Sequence, residues 1–122
     1  MNDKEVREQK KRVLRIVHRW IKPLWLGWWR LDFVWHREAF DDGEIMRCGS
    51  LWQYAEASID VDLSQVALLD DDRLEQTVVH ELMHPILNEA RWGGEDILHE
   101  ERVASWLQRA FMSVRAVGRK ES

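Results

Sequence analysis

Val6, Val13, Val17, Trp20, Ile21 and Leu24 fall three, four or seven residues apart. That spacing draws one apolar stripe along a helix from about Asp3 to Lys22, with a basic face opposite. The rhythm then changes to two. Trp29, Leu31, Phe33 and Trp35 alternate with Arg30, Asp32 and Val34, an aromatic-rich strand pattern. Glu44 to Arg47 reads as a short second strand after the Asp41-Asp42-Gly43 turn, with Cys48-Gly49-Ser50 as a further turn. Ala55, Ala57, Ile59, Val61 and Leu63 alternate with Glu56, Ser58, Asp60 and Asp62, the clearest half-buried strand in the chain. Helical spacing returns in two later stretches divided by Gly93-Gly94. One runs from Asp71 or Asp72, acids suited to a helix N-terminus, to Ala90. The other runs from Glu95 or Asp96 to about Val117, with Val103, Trp106, Leu107, Ala110, Phe111 and Val114 as its apolar stripe. Strands grouped together and then helices predict an α+β fold, a small mixed or antiparallel three-stranded sheet covered by helices.

Composition narrows this further. The chain has 122 residues, 33% charged and 45% hydrophobic, which predicts one domain over 1–122. No apolar run approaches the ~18 residues of a membrane span. The charged start shows no secretory pattern, so the expected compartment is the cytoplasm and no membrane partner is expected. A lone cysteine, Cys48, excludes an internal disulfide and a cysteine-rich zinc framework, and it reads as an inert thiol. Charge is uneven: residues 1–22 carry a net +5 and residues 38–81 a net −10, against −4 overall. The basic helix is expected to lie over the acidic half of its own chain. Nucleic-acid contact is the weaker reading, because no recognition motif accompanies it. Eight tryptophans stand against one tyrosine. Trp20, Trp29, Trp35 and Trp106 are in phase with apolar stripes and are expected in the core. Trp25, Trp28, Trp52 and Trp92 fall at element ends or off phase and are candidates for a groove or partner surface.

The candidate chemistry sits in the third helix. His80-Glu81-Leu82-Met83-His84 is an H-E-x-x-H pattern. Residues four apart share a helix face, with Cβ atoms about 5–6 Å apart, so two imidazoles can converge on one Zn²⁺. Glu81, one step round the helix, is placed to take a proton from a metal-bound water as general base. A catalytic zinc needs a third protein ligand and one open position. His99, Glu100 and Glu101 follow one short loop later. Projecting the stripe of Val103, Leu107, Ala110 and Val114 backwards favours Glu100, where an acid on an apolar face would need a metal to compensate it. His99 lies near the same face and is a candidate ligand, supporting residue or oxyanion donor.

With Glu100-Glu101-Arg102-Val103-Ala104 following the motif after a short gap, the chain resembles the minimal gluzincin-type zinc metallopeptidases. It is most similar to small zincin-like proteins of phages and prophages and to the metallopeptidase domains that cleave bacterial repressors. The likeness spans about Ala55 to Val114. It implies a zincin-like minimal fold, a Zn²⁺ cofactor, His80 and His84 as ligands, Glu81 as base, and Glu100 or Glu101 as third ligand. The family register, with a small residue three after the ligand and a polar one four after, favours Glu101, followed by Ala104 and Ser105. The implied activity is peptide-bond hydrolysis on a protein or peptide substrate. The competing reading is a zincin-fold protein-interaction module using the tryptophan-rich surface.

Two features qualify the geometry. Pro85 directly after His84 removes a helix donor and predicts a tolerated kink. So short a chain leaves room only for a shallow groove, where an extended peptide would add to a sheet edge. The acidic strand over Ala55 to Asp62 is the expected edge. Tyr54, just before it, reads as a half-buried aromatic before an oxyanion donor. His18 and His36 read as structural, and Asp70-Asp71-Asp72 as a helix cap.

Overall fold

A computed structural model describes residues 1–90 and 97–121, apart from the side chains at 52, 89–90, 97–100 and 116–121. Trp52, Trp92, Gly93, Gly94, His99 and Glu100, as far as their side chains or placement bear on the readings above, lie outside the described residues.

Helix α1 covers Asp3–Ile21 and is capped by Asn2, whose side chain accepts from Glu5 N at 2.8 Å. Its apolar stripe holds: Val6, Val13, Ile16, Val17 and Trp20 are buried. Strands β1 (Arg30–His36), β2 (Met46–Leu51) and β3 (Glu56–Asp62) form one mixed sheet in the order β1-β3-β2. β3 runs parallel to β1, with Phe33 opposite Ile59, and antiparallel to β2, with Cys48 opposite Ile59. β3 is therefore central, not the expected edge. Its alternation of Ala57, Ile59 and Val61 with polar residues records one covered face, and says nothing of which edges are paired. The outer strands of this sheet are β1 and β2. β2 also runs further than the sequence suggests, because Gly49 and Ser50, read as a turn, are paired with Ser58 and Ala57.

A one-turn helix α2 (Leu63–Val66) follows β3 directly, without a sequence signal of its own. Asp62, fully buried, caps it by accepting from Ser64 N at 3.0 Å and Gln65 N at 3.3 Å, and also accepts from Phe40 N at 3.2 Å. These bonds explain an acid in the interior. Helix α3 covers Asp71–Ala90 and runs through Pro85. Its cap is Asp70, the first of the three acids read as a cap, accepting from Arg73 N at 2.8 Å. Helix α4 covers Ile97–Glu121 and packs along α3.

The core lies between the inner sheet face and α1 and α3, through Val13, Val17, Ile59, Val61, Leu74, Val78, Val79 and Leu82. α4 joins it by only part of the expected stripe, Leu107 and Phe111 turning inward and Trp106 and Val114 outward. Ala104 is fully buried, with Leu107 and Met112 packed beside it. Trp106 and Val114 are 69% and 71% exposed, so Trp106 is not a core residue. Trp20 and Trp29 are buried as expected, and Trp35 is half-buried and stacked on Phe33. α1 does lie against acids of its own chain: Arg12 reaches Asp71 at 2.9 Å and Arg19 reaches Glu75 at 2.7 Å. Among the described residues, no helix is long and apolar enough to cross a membrane.

Candidate metal centre

The residues that build the site come from two helices. Val78, Val79, Leu82 and Met83 anchor α3 in the core. That leaves His80 and His84, one turn apart, on the side that meets α4. Their rings are edge-to-face with centroids 5.0 Å apart, and their Nε2 atoms lie 3.3 Å from each other. Pro85, buried inside the helix, does not turn His84 away. From α4, Glu101 spans both rings: Oε2 is 3.0 Å from Nε2 of His80 and Oε1 is 3.0 Å from Nε2 of His84.

These distances decide what the cluster can do. Ligand atoms about 2.0–2.1 Å from a tetrahedral ion stand roughly 3.3 Å apart. The two ring nitrogens, 3.3 Å apart, have that spacing, and each lies 3.0 Å from a different oxygen of the Glu101 carboxylate, so one atom from each residue can be taken within 4.8 Å of the others. The donor set, two imidazoles and one carboxylate, suits zinc among the divalent metals. Without an ion, a proton shared between the rings and the carboxylate satisfies the same geometry, so the cluster fits the metal but does not require it.

Protonation also bears on this fit. Burial holds the His80 imidazole below its ordinary pKa, helped by His84, with Glu101 opposing them. The neutral form is the one that ligates. Ser105 Oγ lies 3.4 Å from Nδ1 of His80, on the far side of the ring. Where Nδ1–H donates to that hydroxyl, Nε2 is left with a lone pair facing the cluster.

Glu81 shows the opposite shift. Burial first, then the charges of Glu101 and Glu44, push its carboxyl up to about 8. A carboxyl so placed is poised near neutrality, which is the useful range for a proton acceptor. Glu44 precedes β2, so the β2 edge and the candidate base share one side of α3.

Of the residues named from the sequence, His80, His84 and Glu101 meet here, and Glu81 is near enough to feel the Glu101 charge. Glu100 and His99 lie outside the described side chains, and the stripe from which Glu100 was projected is not the buried face of α4. Tyr54 sits in a 3₁₀ turn (Trp52–Tyr54) next to α3 and is exposed. His36 accepts or donates to Asp60 at 2.9 Å on the outer sheet face, away from this cluster. Ser105 and Glu44 are the contributors that the pattern alone did not single out by role. The signal for Ser105 is its position, four residues after Glu101 on the same helix face. Compared with protein-family models, curated proteins and solved structures, the chain matches none.

Proposed function

We propose that this protein is a zinc-dependent metallopeptidase. The observation that carries the reading is the convergence of His80 Nε2, His84 Nε2 and the Glu101 carboxylate at 3.0–3.3 Å from two separate helices, with the Glu81 carboxyl within the field of Glu101. Zinc bound there would supply the Lewis acidity that acidifies a water and polarises a peptide carbonyl. His80 and His84 through Nε2, with the Glu101 carboxylate, would hold the ion, and Ser105 fixes the His80 ring. Glu81 takes a proton from the attacking water at a carboxylate oxygen and passes it to the departing amine nitrogen. The substrate is an extended peptide laid along the outer strand β2, which packs on α3 and follows Glu44.

Metal analysis tests the reading. The purified protein is expected to bind one equivalent of zinc, and His80→Ala and Glu101→Ala to bind less than a tenth as much under the same free zinc. A parent protein without stoichiometric metal would remove the basis of the proposal. Ser105→Ala is expected to keep the fold and weaken zinc binding about 10–100-fold, the range for residues that orient a ligating imidazole. Competition with a chromogenic chelator measures it, and an unchanged affinity would show that Ser105 does not hold the ring.

A zincin-fold interaction module is the second reading. It is favoured by the outward ridge of Trp106, Ala110 and Val114 on α4, which no described residue covers. The two separate on Glu81→Gln: a biological effect that survives this change belongs to a module, and one that is lost belongs to a peptidase.

A further inference from the structure

We propose that the end of α1 and the loop after it form a surface that docks on anionic lipid bilayers. This goes beyond the peptidase reading and does not depend on it.

Three observations converge. First, the chain leaves α1 through a tight reversal in which Leu26 N donates to Ile21 O at 2.9 Å and Trp25 N donates to Lys22 O at 3.0 Å. This is the paired bonding of a Schellman turn, and its left-handed position is usually glycine. Here it is Trp25, at φ 59°, although Gly27 stands only two residues on. A bulky residue at positive φ costs stability, and the position returns nothing in packing, since Trp25 is 83% exposed.

Second, the loop is built to aim its indoles outward. Leu24, Leu26 and Trp29 are buried, while Trp25 and Trp28 between them point away, Trp28 being 63% exposed. With Leu24 N bonded to Trp20 O and Trp29 N to Leu26 O, both at 3.0 Å, the segment is pinned at several points. Two large apolar groups held rigidly in water imply a partner.

Third, the partner's charge is written on the adjoining helix. Lys4, Arg7, Lys11, Arg15, His18 and Lys22 follow one another at spacings of three or four and are all exposed. They form one line about 27 Å long, at 1.5 Å per residue, that ends at Trp25. Arg12 and Arg19, on the flank, make the ion pairs with α3; among the described residues, none of the five lysines and arginines of the line has an ion-pair partner. Asp3 and Glu8 flank the start of the line, and Arg15 also borders the cleft that holds Asp71, Asp72 and Glu75.

The shape selects the occupant. Single-stranded nucleic acid is held in grooves with aromatic groups interleaved along the track. Here the cations run along one exposed helix face and both exposed indoles lie beyond its end, not between them. That arrangement suits a flat anionic plane: cations lie along the headgroups while indoles enter the interfacial layer. The apolar face of α1 stays in the core, so the contact is electrostatic plus a two-indole anchor. The expectation of no membrane partner rested on the lack of a spanning segment, which does not bear on surface docking.

Co-sedimentation with vesicles tests this. The full chain is expected to bind phosphatidylcholine vesicles containing about 30 mol % phosphatidylserine, and not phosphatidylcholine alone, with binding falling as salt rises through the range where the Debye length drops below about 10 Å. Lys11→Glu with Arg15→Glu, and separately Trp25→Gly with Trp28→Ser, should each weaken binding at least about tenfold. Trp25→Gly fits the turn better than the parent residue, so that variant is expected to fold, and its melting temperature checks this. Brominated lipid should quench the parent's tryptophan emission more than the Trp variant's. No binding to anionic vesicles at low salt, or binding that neither variant weakens, would overturn the proposal. So would a single-stranded oligonucleotide that binds through these residues while vesicles do not.

Discussion

Replacing Glu81 by glutamine is expected to leave zinc binding intact, lower peptide hydrolysis by about 10²–10⁴-fold, and make the metal-free protein more stable at alkaline pH. The first two effects follow from removing a proton acceptor while keeping its size and leaving the ligands untouched. The third follows from where that acceptor sits. Its carboxyl is held at about 8 by burial, Glu101 and Glu44. An acid raised in the folded state above its unfolded value stabilises the fold fully below the unfolded value, about 4.5, and that contribution is lost as pH rises through 8. Glutamine cannot ionise and suffers no such loss. The metal-free variant should match its parent near pH 4 and exceed it at pH 9 by ~3 kcal/mol, at about 1.4 kcal/mol per unit and with allowance for a site only partly desolvated. Thermal melts in a chelating buffer across this range give the difference. Equal melting at every pH would mean that the Glu81 carboxyl is not held in its neutral form.

The same experiment separates a catalytic carboxylate from a structural one. A residue kept for packing or for an ion pair destabilises when altered. A residue kept for chemistry in a desolvated, like-charged place stabilises when neutralised, because function and stability pull against each other there. A dication held by His80, His84 and Glu101 would favour the ionised form of Glu81, so the gain from glutamine should shrink when zinc is restored.

Much of this arrangement is legible in the chain, and the reasons for the rest are physical. α1, β1 and β3 follow from periodicity because each buries one apolar face. α3 follows from its acids, its two β-branched residues and the H-E-x-x-H spacing. The third ligand is harder to read. The inward face of α4 mixes Ala104, Leu107 and Met112 with Glu101, Ser105, Gln108 and Arg115, because it closes over the histidines at one end and over Glu75 at the other. The apolar ridge of Trp106, Ala110 and Val114 faces water. A hydrophobic stripe identifies a buried face only when nothing polar competes for the interior, and here two polar sites do. The position of β3 is illegible for another reason. Alternation reports which face of a strand is covered, whereas the order β1-β3-β2 depends on edges, where residues 46–51 pair through backbone groups common to every residue.

Glu75→Ala is expected to be the most damaging single change outside the site. Glu75 is 2% exposed and looks in sequence like one more member of the acidic stretch beginning at Asp70. In the fold it joins three helices. Its carboxylate accepts from Arg19 of α1 at 2.7 Å and from the Trp20 indole at 2.9 Å, and it pairs with Arg115 of α4. A buried carboxylate meeting two guanidinium groups and an indole N–H is adequately paired, so its own desolvation is offset. Removing it strands Arg115, leaves the Trp20 N–H without its acceptor and opens space beside a core indole. Breaking a buried pair from one side costs roughly 3–5 kcal/mol, and the partial exposure of Arg19 places this case near 3 kcal/mol. In a domain of this size that lowers the melting temperature by about 10 °C. Glu75→Gln, which keeps an acceptor for the indole and the volume, should lose about half as much. Because Arg115 and Ser105 ride on the same helix, loosening this end of α4 should also weaken zinc binding at Glu101, without touching a ligand. Denaturant unfolding and zinc competition on Glu75→Ala, Glu75→Gln and Arg115→Ala measure both effects. If all three variants melt with the parent, the triad does not hold the helices together.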